Sequence, residues 1–219
     1  MIVRDKCLIL HMPKTGGVFI RMLLERRYND AILLPSGADF AEPSAAWEQH
    51  HSIDDVPGEY RDLPAVGFVR NPWDWYVSWY HFFSTYPYEP PHFMSVSAGK
   101  TLEFSEFMER IYSYPEDSEE YIDNSFSAKF YHIFGTSEHE PRNSNIETGR
   151  FETIHDDLRR FLARVGFDQE TLDEIGGFQR INNSRHGHYS TYYSDTLAEQ
   201  VYEHNRPIIE EFGYTFESK

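Results

Sequence analysis

The hydrophobic pattern along the chain alternates between short apolar runs and longer amphipathic stretches. Runs at residues 7–11, 31–34 and 65–69 are bounded by proline, glycine or polar residues, which is typical of short buried strands. Apolar residues recur at helical spacing in six stretches: 18–27, 71–83, 102–112, 125–134, 154–165 and 194–212. This alternation predicts an α/β fold, one domain over residues 1–219 with a central, mostly parallel sheet flanked by helices.

The second helix has a clear predicted beginning. Asn71 stands at the N-cap position, Pro72 at the first helical position and Asp74 in the first turn. The region from about 84 to 145 is less regular, and we expect residues 84–101 and 135–145 to form loops. We predict that this region is a variable insertion that faces the acceptor.

Charge and composition limit the partners. The 219 residues carry a formal charge of −16, with 40% hydrophobic and 16% aromatic residues. That is too many apolar residues for a disordered chain, and the charge disfavours broad binding to nucleic acid or an anionic membrane. Residues 1–27, however, hold six basic and two acidic side chains, a local net charge of +4 that indicates an anion site.

The single cysteine, Cys7, excludes an intramolecular disulfide framework and lies in an apolar run, where a buried thiol is expected. No apolar stretch has the ~20 residues of a membrane helix, and charges interrupt the first residues where a signal peptide would need an apolar segment. We therefore expect a cytoplasmic protein that does not bind membranes.

The first turn that carries chemistry follows the first predicted strand, at Pro13-Lys14-Thr15-Gly16-Gly17. Glycines before a helix allow backbone N–H groups to face an anion, with Lys14 adding a charge and Thr15 a hydroxyl. Because Pro13 rather than glycine precedes Lys14, the loop is not a Walker A motif, which disfavours a nucleoside triphosphate with magnesium. A plain glycine-rich turn with a solvated lysine is the alternative.

The second turn follows the strand at 65–69. Arg70 leaves the carboxyl end of that strand, where α/β folds bind ligands, and Ser78 lies about two helical turns beyond Asn71. An arginine and a hydroxyl can hold one phosphate together. Taken singly, Arg70 could equally be a structural ion-pair partner and Ser78 an ordinary helix residue.

Together the two turns resemble those of sulfotransferases that use 3′-phosphoadenosine 5′-phosphosulfate (PAPS). Pro13-Lys14-Thr15-Gly16-Gly17 is similar to their 5′-phosphosulfate loop. The segment Phe68-Val69-Arg70-Asn71-Pro72-Trp73-Asp74, followed by Ser78, is similar to their 3′-phosphate motif, in a variant closest to the carbohydrate-type and bacterial members. Gly149-Arg150-Phe151-Glu152 and the segment from Asn183-Ser184 to Phe212-Gly213-Tyr214 look like further family landmarks.

The resemblance implies a P-loop-like fold and in-line transfer of sulfuryl from PAPS to an acceptor hydroxyl or amine without a metal, leaving 3′,5′-ADP; we expect a hydroxyl. By match, Lys14 would stabilise the charge on the departing phosphate, while Pro13, Thr15, Gly16 and Gly17 would form the 5′-phosphate loop. Arg70 and Ser78 would bind the 3′-phosphate. Arg185 could add a third contact there, although its loop matches the relatives only approximately.

A hydroxyl acceptor needs a general base, a task that suits histidine. In several relatives the base lies between the two motifs, where His50 and His51 form a pair; we favour His51, with His50 second. Two solvated loop histidines are the alternative. We expect His11 to pack as the last strand residue, and no ligand framework supports a zinc site at His186 and His188.

Three functions remain open at this level. The leading one is a PAPS-dependent sulfotransferase acting on a glycan or small molecule, and the alternatives are a nucleotide or nucleoside kinase with a degenerate P-loop and a non-catalytic nucleotide-binding module. The loop aromatics Tyr86, Tyr88 and Phe93 are candidates for stacking on a sugar. We expect the acidic run at 116–120 to be a solvated face or loop that disfavours heavily sulfated acceptors. The sequence identifies neither the acceptor nor the oligomeric state.

Overall fold

The computed structural model describes residues 1–33, 50–85, 89–137, 140, 144–177 and 186–218. These residues hold five strands: β1 (Ile2–Val3), β2 (Cys7–Ile9), β3 (Ile32–Leu33), β4 (Ala65–Val69) and β5 (Ile146–Arg150). They also hold nine α-helices: α1 (Gly17–Tyr28), α2 (Pro72–Thr85), α3 (Pro91–Val96), α4 (Phe104–Ser113), α5 (Glu119–Asn124), α6 (Phe126–Phe134), α7 (Ile154–Arg164), α8 (Gln169–Gly177) and α9 (Asp195–Phe212). None of the helices in this described part is both long and apolar enough to cross a membrane.

The five strands form one mixed sheet in the order β3-β1-β2-β4-β5. β2, β4 and β5 are parallel, with five residue pairs between β4 and β5, from Ala65 opposite Ile146 to Val69 opposite Arg150. The short β1 runs antiparallel to both of its neighbours. The predicted α/β fold is confirmed, and its parallel half carries the strand ends from which both turns leave.

The described residues cluster in two compact units, each built from two stretches of the chain. The first unit comprises Met1–Arg70 and Ile133–Asn182 and holds the whole sheet with α1, α7 and α8. The spacing that predicted α1 is confirmed, because its apolar residues Phe19, Ile20, Leu23 and Leu24 are all buried. They pack in one core with side chains from the sheet and from α7, among them Ile9, Val66, Phe68, Leu158 and Phe161.

The second unit comprises Asn71–His132 and Asn183–Lys219 and is helical. The cap predicted for α2 is confirmed, since Asn71 Oδ1 accepts hydrogen bonds from the backbone N–H groups of Trp73 (3.1 Å) and Asp74 (3.4 Å). The rings of Trp75 and Trp79 stack inside this unit, with centroids 5.3 Å apart. The large aromatic side chains of α2 are therefore part of the core of this unit.

The predictions for the middle of the chain were wrong in part. The expected loop at 84–101 contains α3, where Phe93 is only 1% exposed, so this ring cannot stack on a sugar. Tyr86 and Tyr88 lie outside the described residues. The acidic run at 116–120, by contrast, is the solvated segment that was expected: Glu116, Asp117 and Glu119 are exposed. Its second part is helical, because α5 begins at Glu119 with the Ser118 hydroxyl accepting from the N–H of Tyr121 (3.2 Å).

Strand lengths also differ from the pattern. The run at 7–11 is a strand only to Ile9, and the run at 31–34 only at Ile32–Leu33, with Leu34 outside the described residues. β1, β5 and α8 were not predicted. β5 has the sequence Ile-Glu-Thr-Gly-Arg, which lacks the apolar run of a buried strand and forms because β4 supplies its ladder.

Candidate functional site

The loop between β2 and α1 has an unusual backbone. Lys14 lies in the left-handed region at φ +63°, and Gly16, the N-cap of α1, lies there at φ +90°. A left-handed lysine is strained by about 1 kcal/mol or more, so the surrounding structure has to hold it in place. The loop is therefore a preformed turn at the N-terminus of α1, where unbonded N–H groups and the helix dipole favour an anion.

The hydroxyl of Thr15 is used to build this turn. Thr15 is 2% exposed, and its Oγ1 donates a 2.7 Å hydrogen bond to the carbonyl oxygen of Met12. The hydroxyl proton expected to face a phosphate is therefore engaged within the loop. The Thr15 side chain therefore shapes the loop, and any contact between Thr15 and an anion would come from its backbone N–H.

Close packing explains why the two glycines are there. A Cβ on Gly16 would lie 2.4 Å from Ile154 Cδ1, and one on Gly17 only 1.8 Å from Cδ2 of His11. Both distances are shorter than real contacts allow. The imidazole of His11 thus covers the first residue of α1. His11 is buried as expected, but the prediction that it is the last strand residue was wrong, because β2 ends at Ile9.

Arg70, at the carboxyl end of β4, reaches the same loop within the first unit. Its Nη1 donates a 3.1 Å hydrogen bond to the carbonyl oxygen of Lys14, and its guanidinium lies 4.5 Å from the ring centre of Phe151. Arg70 is 9% exposed. Two contacts therefore hold the guanidinium: the Lys14 carbonyl in the loop and the Phe151 ring in the segment after β5.

These surroundings change the titration of Lys14. Burial, and secondly the nearby charge of Arg70, lower the pKa of Lys14 from 10.5 to about 8. Holding the positive charges of Lys14 and Arg70 close together, partly shielded from water, costs free energy. An anion bound between them would reduce that cost. Perturbed lysines of this kind are typical of functional sites.

The histidine pair lies in the same unit, at the end of the undescribed stretch 34–49. His50 Nδ1 is 2.8 Å from the carbonyl oxygen of His11, and the two imidazole centres are 4.5 Å apart. His51 has a different neighbour, since its Nδ1 lies 3.4 Å from a carboxylate oxygen of Asp55. Its Nε2 is buried and has no hydrogen-bond partner among the described residues.

Ser78 is a residue of the second unit. It is 1% exposed on α2, one turn before His81. His81 stacks on His186, with ring centres 5.3 Å and planes 18° apart, and burial, with His186 as the second cause, lowers the pKa of His81. Arg185, the third predicted phosphate ligand, lies outside the described residues, so its role and that of Ser78 remain predictions.

A zinc site receives no support from the described residues. Within them, no three His, Cys, Asp or Glu side chains come close enough together to hold a metal ion. His188 Nδ1 is instead 2.8 Å from the hydroxyl of Ser190 and accepts a longer bond, 3.4 Å, from the N–H of that residue.

Sequence reasoning missed the roles of two residues, His11 and Phe151. Phe151 belongs to a segment noted as a landmark, but nothing in the pattern says that its ring lies beside both Arg70 and Gly16. For His11, the signal in the sequence was Gly17. A second glycine at the start of a helix indicates that something approaches the backbone closely.

Comparison with known proteins identifies the family and the fold. The sequence model described as "Sulfotransferase family" matches residues 3–214. The solved structure of mouse sulfotransferase SULT7A1 complexed with PAP has a TM-score of 0.60 with this chain at 14% identity, over 96% of this chain and 86% of that one. At that identity the likeness concerns the fold. No curated protein sequence matches the chain.

The family match extends over both turns that the motifs single out, and over Gly149-Arg150-Phe151-Glu152 between β5 and α7. It confirms the resemblance and favours a sulfotransferase over a kinase. The chain therefore belongs to the sulfotransferase family.

Proposed function

We propose that this enzyme transfers the sulfuryl group of PAPS to a hydroxyl group on a glycan or a small molecule. The family supports the donor and the reaction class. The histidine base and the kind of acceptor rest on the chemistry of the first unit and on the motif resemblance.

The paired burial of Lys14 and Arg70 carries the proposal. Arg70 bonds the Lys14 carbonyl at 3.1 Å, and its charge helps to lower the pKa of Lys14 to about 8. A donor with a phosphosulfate and a separate 3′-phosphate brings several negative charges to such a place. Its binding would offset the repulsion between the two cations and raise the pKa of Lys14, so that the lysine keeps its proton to higher pH.

The expected reaction forms one bond to sulfur and breaks another. The acceptor oxygen attacks sulfur in line, and the bond from sulfur to the bridging oxygen of the 5′-phosphate breaks. The electron pair leaves with the phosphate, which becomes part of 3′,5′-ADP, and the acceptor proton passes to a histidine of the pair His50–His51. Lys14 and the N-terminus of α1 stabilise the charge that grows on the leaving phosphate, an effect of about 2.7–4 kcal/mol per preorganised donor.

The 3′-phosphate is assigned to Arg70, Ser78 and Arg185 on the motif. Arg70 has a fixed guanidinium, held by the Lys14 carbonyl and the Phe151 ring. A planar, preorganised fork is suited to two parallel hydrogen bonds to one phosphate.

The single cysteine cannot form an intramolecular disulfide, which favours a cytoplasmic enzyme, and it takes no part in the expected reaction. Cys7 is fully buried in β2, and burial raises the pKa of its thiol to about 12. The thiol is therefore inert as a nucleophile, and the chemistry falls to oxygen and nitrogen groups.

Thermal stabilisation tests the donor site. We expect 3′,5′-ADP to stabilise the protein in the presence of EDTA, and AMP, which lacks the 3′-phosphate, to stabilise it much less. Arg70→Met should weaken binding of 3′,5′-ADP more than binding of AMP. Stabilisation by Mg-ATP alone would instead support a kinase and refute the proposal.

Transfer itself needs an acceptor screen. Incubation with sulfur-labelled PAPS and panels of neutral glycans, sulfated glycans and small alcohols should label a hydroxyl of at least one neutral compound. A protein that binds 3′,5′-ADP tightly but labels none of the panels would be the non-catalytic module.

A further inference from the structure

His11 and His50 form a contact that no described motif accounts for. The carbonyl oxygen of His11 is 2.8 Å from His50 Nδ1, and the imidazole of His11 is tilted by 48° against that of His50. His11 is 7% exposed, and its ring occupies the space beside the Gly17 Cα atom. One residue thus contacts both the start of the phosphosulfate loop helix and one member of the histidine pair.

The carbonyl determines the tautomer of His50. A carbonyl oxygen can only accept, so Nδ1 of neutral His50 carries the proton and Nε2 carries the lone pair. When Nε2 takes up a proton, the same carbonyl dipole stabilises the imidazolium. A general base needs both properties: a defined basic nitrogen and support for the charge that it acquires.

His51 is less suited to the task. Its Nδ1 lies 3.4 Å from Asp55 Oδ2, an oxygen that also accepts the N–H of Ser52 (3.0 Å) in the cap of the 3-10 turn Ile53–Asp55. Its Nε2 is enclosed by protein. An acceptor hydroxyl must reach a nitrogen lone pair to transfer its proton, and an enclosed atom offers no approach.

We propose that His50 is the general base of the sulfuryl transfer and that His11 is its positioning residue, which ties the base to the phosphosulfate loop. The proposal rests on the proposed function. It assigns the base to His50, whereas the sequence analysis favours His51. In the transfer step the acceptor O–H proton moves to His50 Nε2 while the acceptor oxygen bonds to sulfur. His11 touches neither reacting atom; it holds the Nδ1–H of His50 and packs on Gly17.

Adjacent variants separate the two histidines. His50→Gln should lower kcat by about 10²–10⁴ and leave the affinity for 3′,5′-ADP within a few-fold, because it removes a proton acceptor and no donor contact. His51→Gln should lower kcat by no more than a few-fold. Imidazole in the buffer should partly restore His50→Ala and not His51→Ala, which keeps the assignment testable if one variant is unstable. The opposite ranking would overturn the proposal.

The pH profile tests the role of His11. His11→Phe keeps a ring over Gly17 and the carbonyl in place, so the acidic limb of kcat/KM should stay near that of the unchanged enzyme. His11→Ala removes the ring that holds this backbone; the limb should move to lower pH and kcat should fall about tenfold, because the imidazolium of His50 loses support. If His11→Ala lowers only the melting temperature and leaves the limb in place, His11 is structural and the positioning role is refuted. An unchanged enzyme that neither binds 3′,5′-ADP nor transfers sulfuryl would contradict the proposed function itself.

Discussion

Replacing Lys14 with methionine should make the ligand-free protein more stable while abolishing its activity. Burial and the charge of Arg70 lower the pKa of Lys14 from 10.5 to about 8, which corresponds to about 3 kcal/mol at about 1.36 kcal/mol per pKa unit. At pH 7 the folded protein keeps this ammonium charged at that cost. Methionine has a similar length and no charge, so Lys14→Met should raise the free energy of unfolding by up to about 3 kcal/mol.

The pH dependence follows from the same shift. Below pH 8 Lys14 is charged in both the folded and the unfolded state, whereas between about pH 8 and 10.5 the unfolded chain holds one more proton than the folded protein. The free energy of unfolding therefore gains a contribution that rises across this interval. Lys14→Met should lack that rise. Binding of 3′,5′-ADP should weaken above about pH 8, because the anion binds the protonated lysine.

Denaturant unfolding at several pH values measures both effects, and Lys6→Met is the matched control. Lys6 Nζ donates a 2.9 Å hydrogen bond to the carbonyl of Gly166 and lies 4.7 Å from the ring centre of Phe167. Its loss should lower stability by about 1 kcal/mol, the opposite sign. With five lysines in the chain, ¹³C-lysine NMR can follow Lys14 directly. A titration near pH 10.5, or a Lys14→Met protein less stable than the unchanged one at pH 7, would refute the reasoning.

Three further predictions concern packing, capping and protonation. Gly17→Ala should cost about 1–3 kcal/mol and weaken 3′,5′-ADP binding, because the new methyl would lie 1.8 Å from an imidazole atom; Gly176→Ala, with open space around it, should be neutral or stabilising in the same denaturant assay. Asn71→Ala should lower the free energy of unfolding by about 1 kcal/mol through loss of the α2 cap, with Asn71→Asp retaining most of it; equal losses for both would show that the cap contributes little. Burial, with the neighbouring imidazole of His186 as the second cause, lowers the pKa of His81, so the unfolded state takes up a proton first and stability falls as pH drops below about 6.5. His81→Phe should reduce this slope in thermal melts, and an unchanged slope would mean that His81 titrates normally.

The elements with strong local signals were predictable, and those that depend on a neighbour were not. The apolar run of β4 and the Asn-Pro start of α2 are signals formed by neighbouring residues, and the structure has both elements where the pattern predicts them. β5 carries polar residues and was missed. Only glycine fits at position 149 of β5, because a Cβ there would lie 2.6 Å from the ring of Phe68 on β4. These two residues are distant in sequence, so no local pattern indicates the contact. The Pro90-Pro91 pair was interpreted as a loop, although proline also suits the first turn of a helix.

The functional prediction divides in the same way. Two turns with a lysine, two glycines and an arginine indicate a phosphate-type donor, because that chemistry depends on residues close together in the chain. The family match confirms this reading. The sequence near His50 and His51 cannot show which of them is the base, because adjacent residues share the same sequence neighbours. The two histidines differ in their contacts in the folded protein.

The sequence by itself determined that this is an α/β sulfotransferase with a lysine loop and an arginine-bearing strand end. Only the tertiary structure showed that Arg70 bonds the Lys14 carbonyl, that the pKa of Lys14 falls to about 8, and that the His11 ring lies on Gly17 while its carbonyl holds His50. The physical reason is range. Backbone conformation and capping act within a few residues, whereas desolvation, charge coupling and the tautomer of an imidazole depend on groups that the fold brings together from 39 or 56 positions apart.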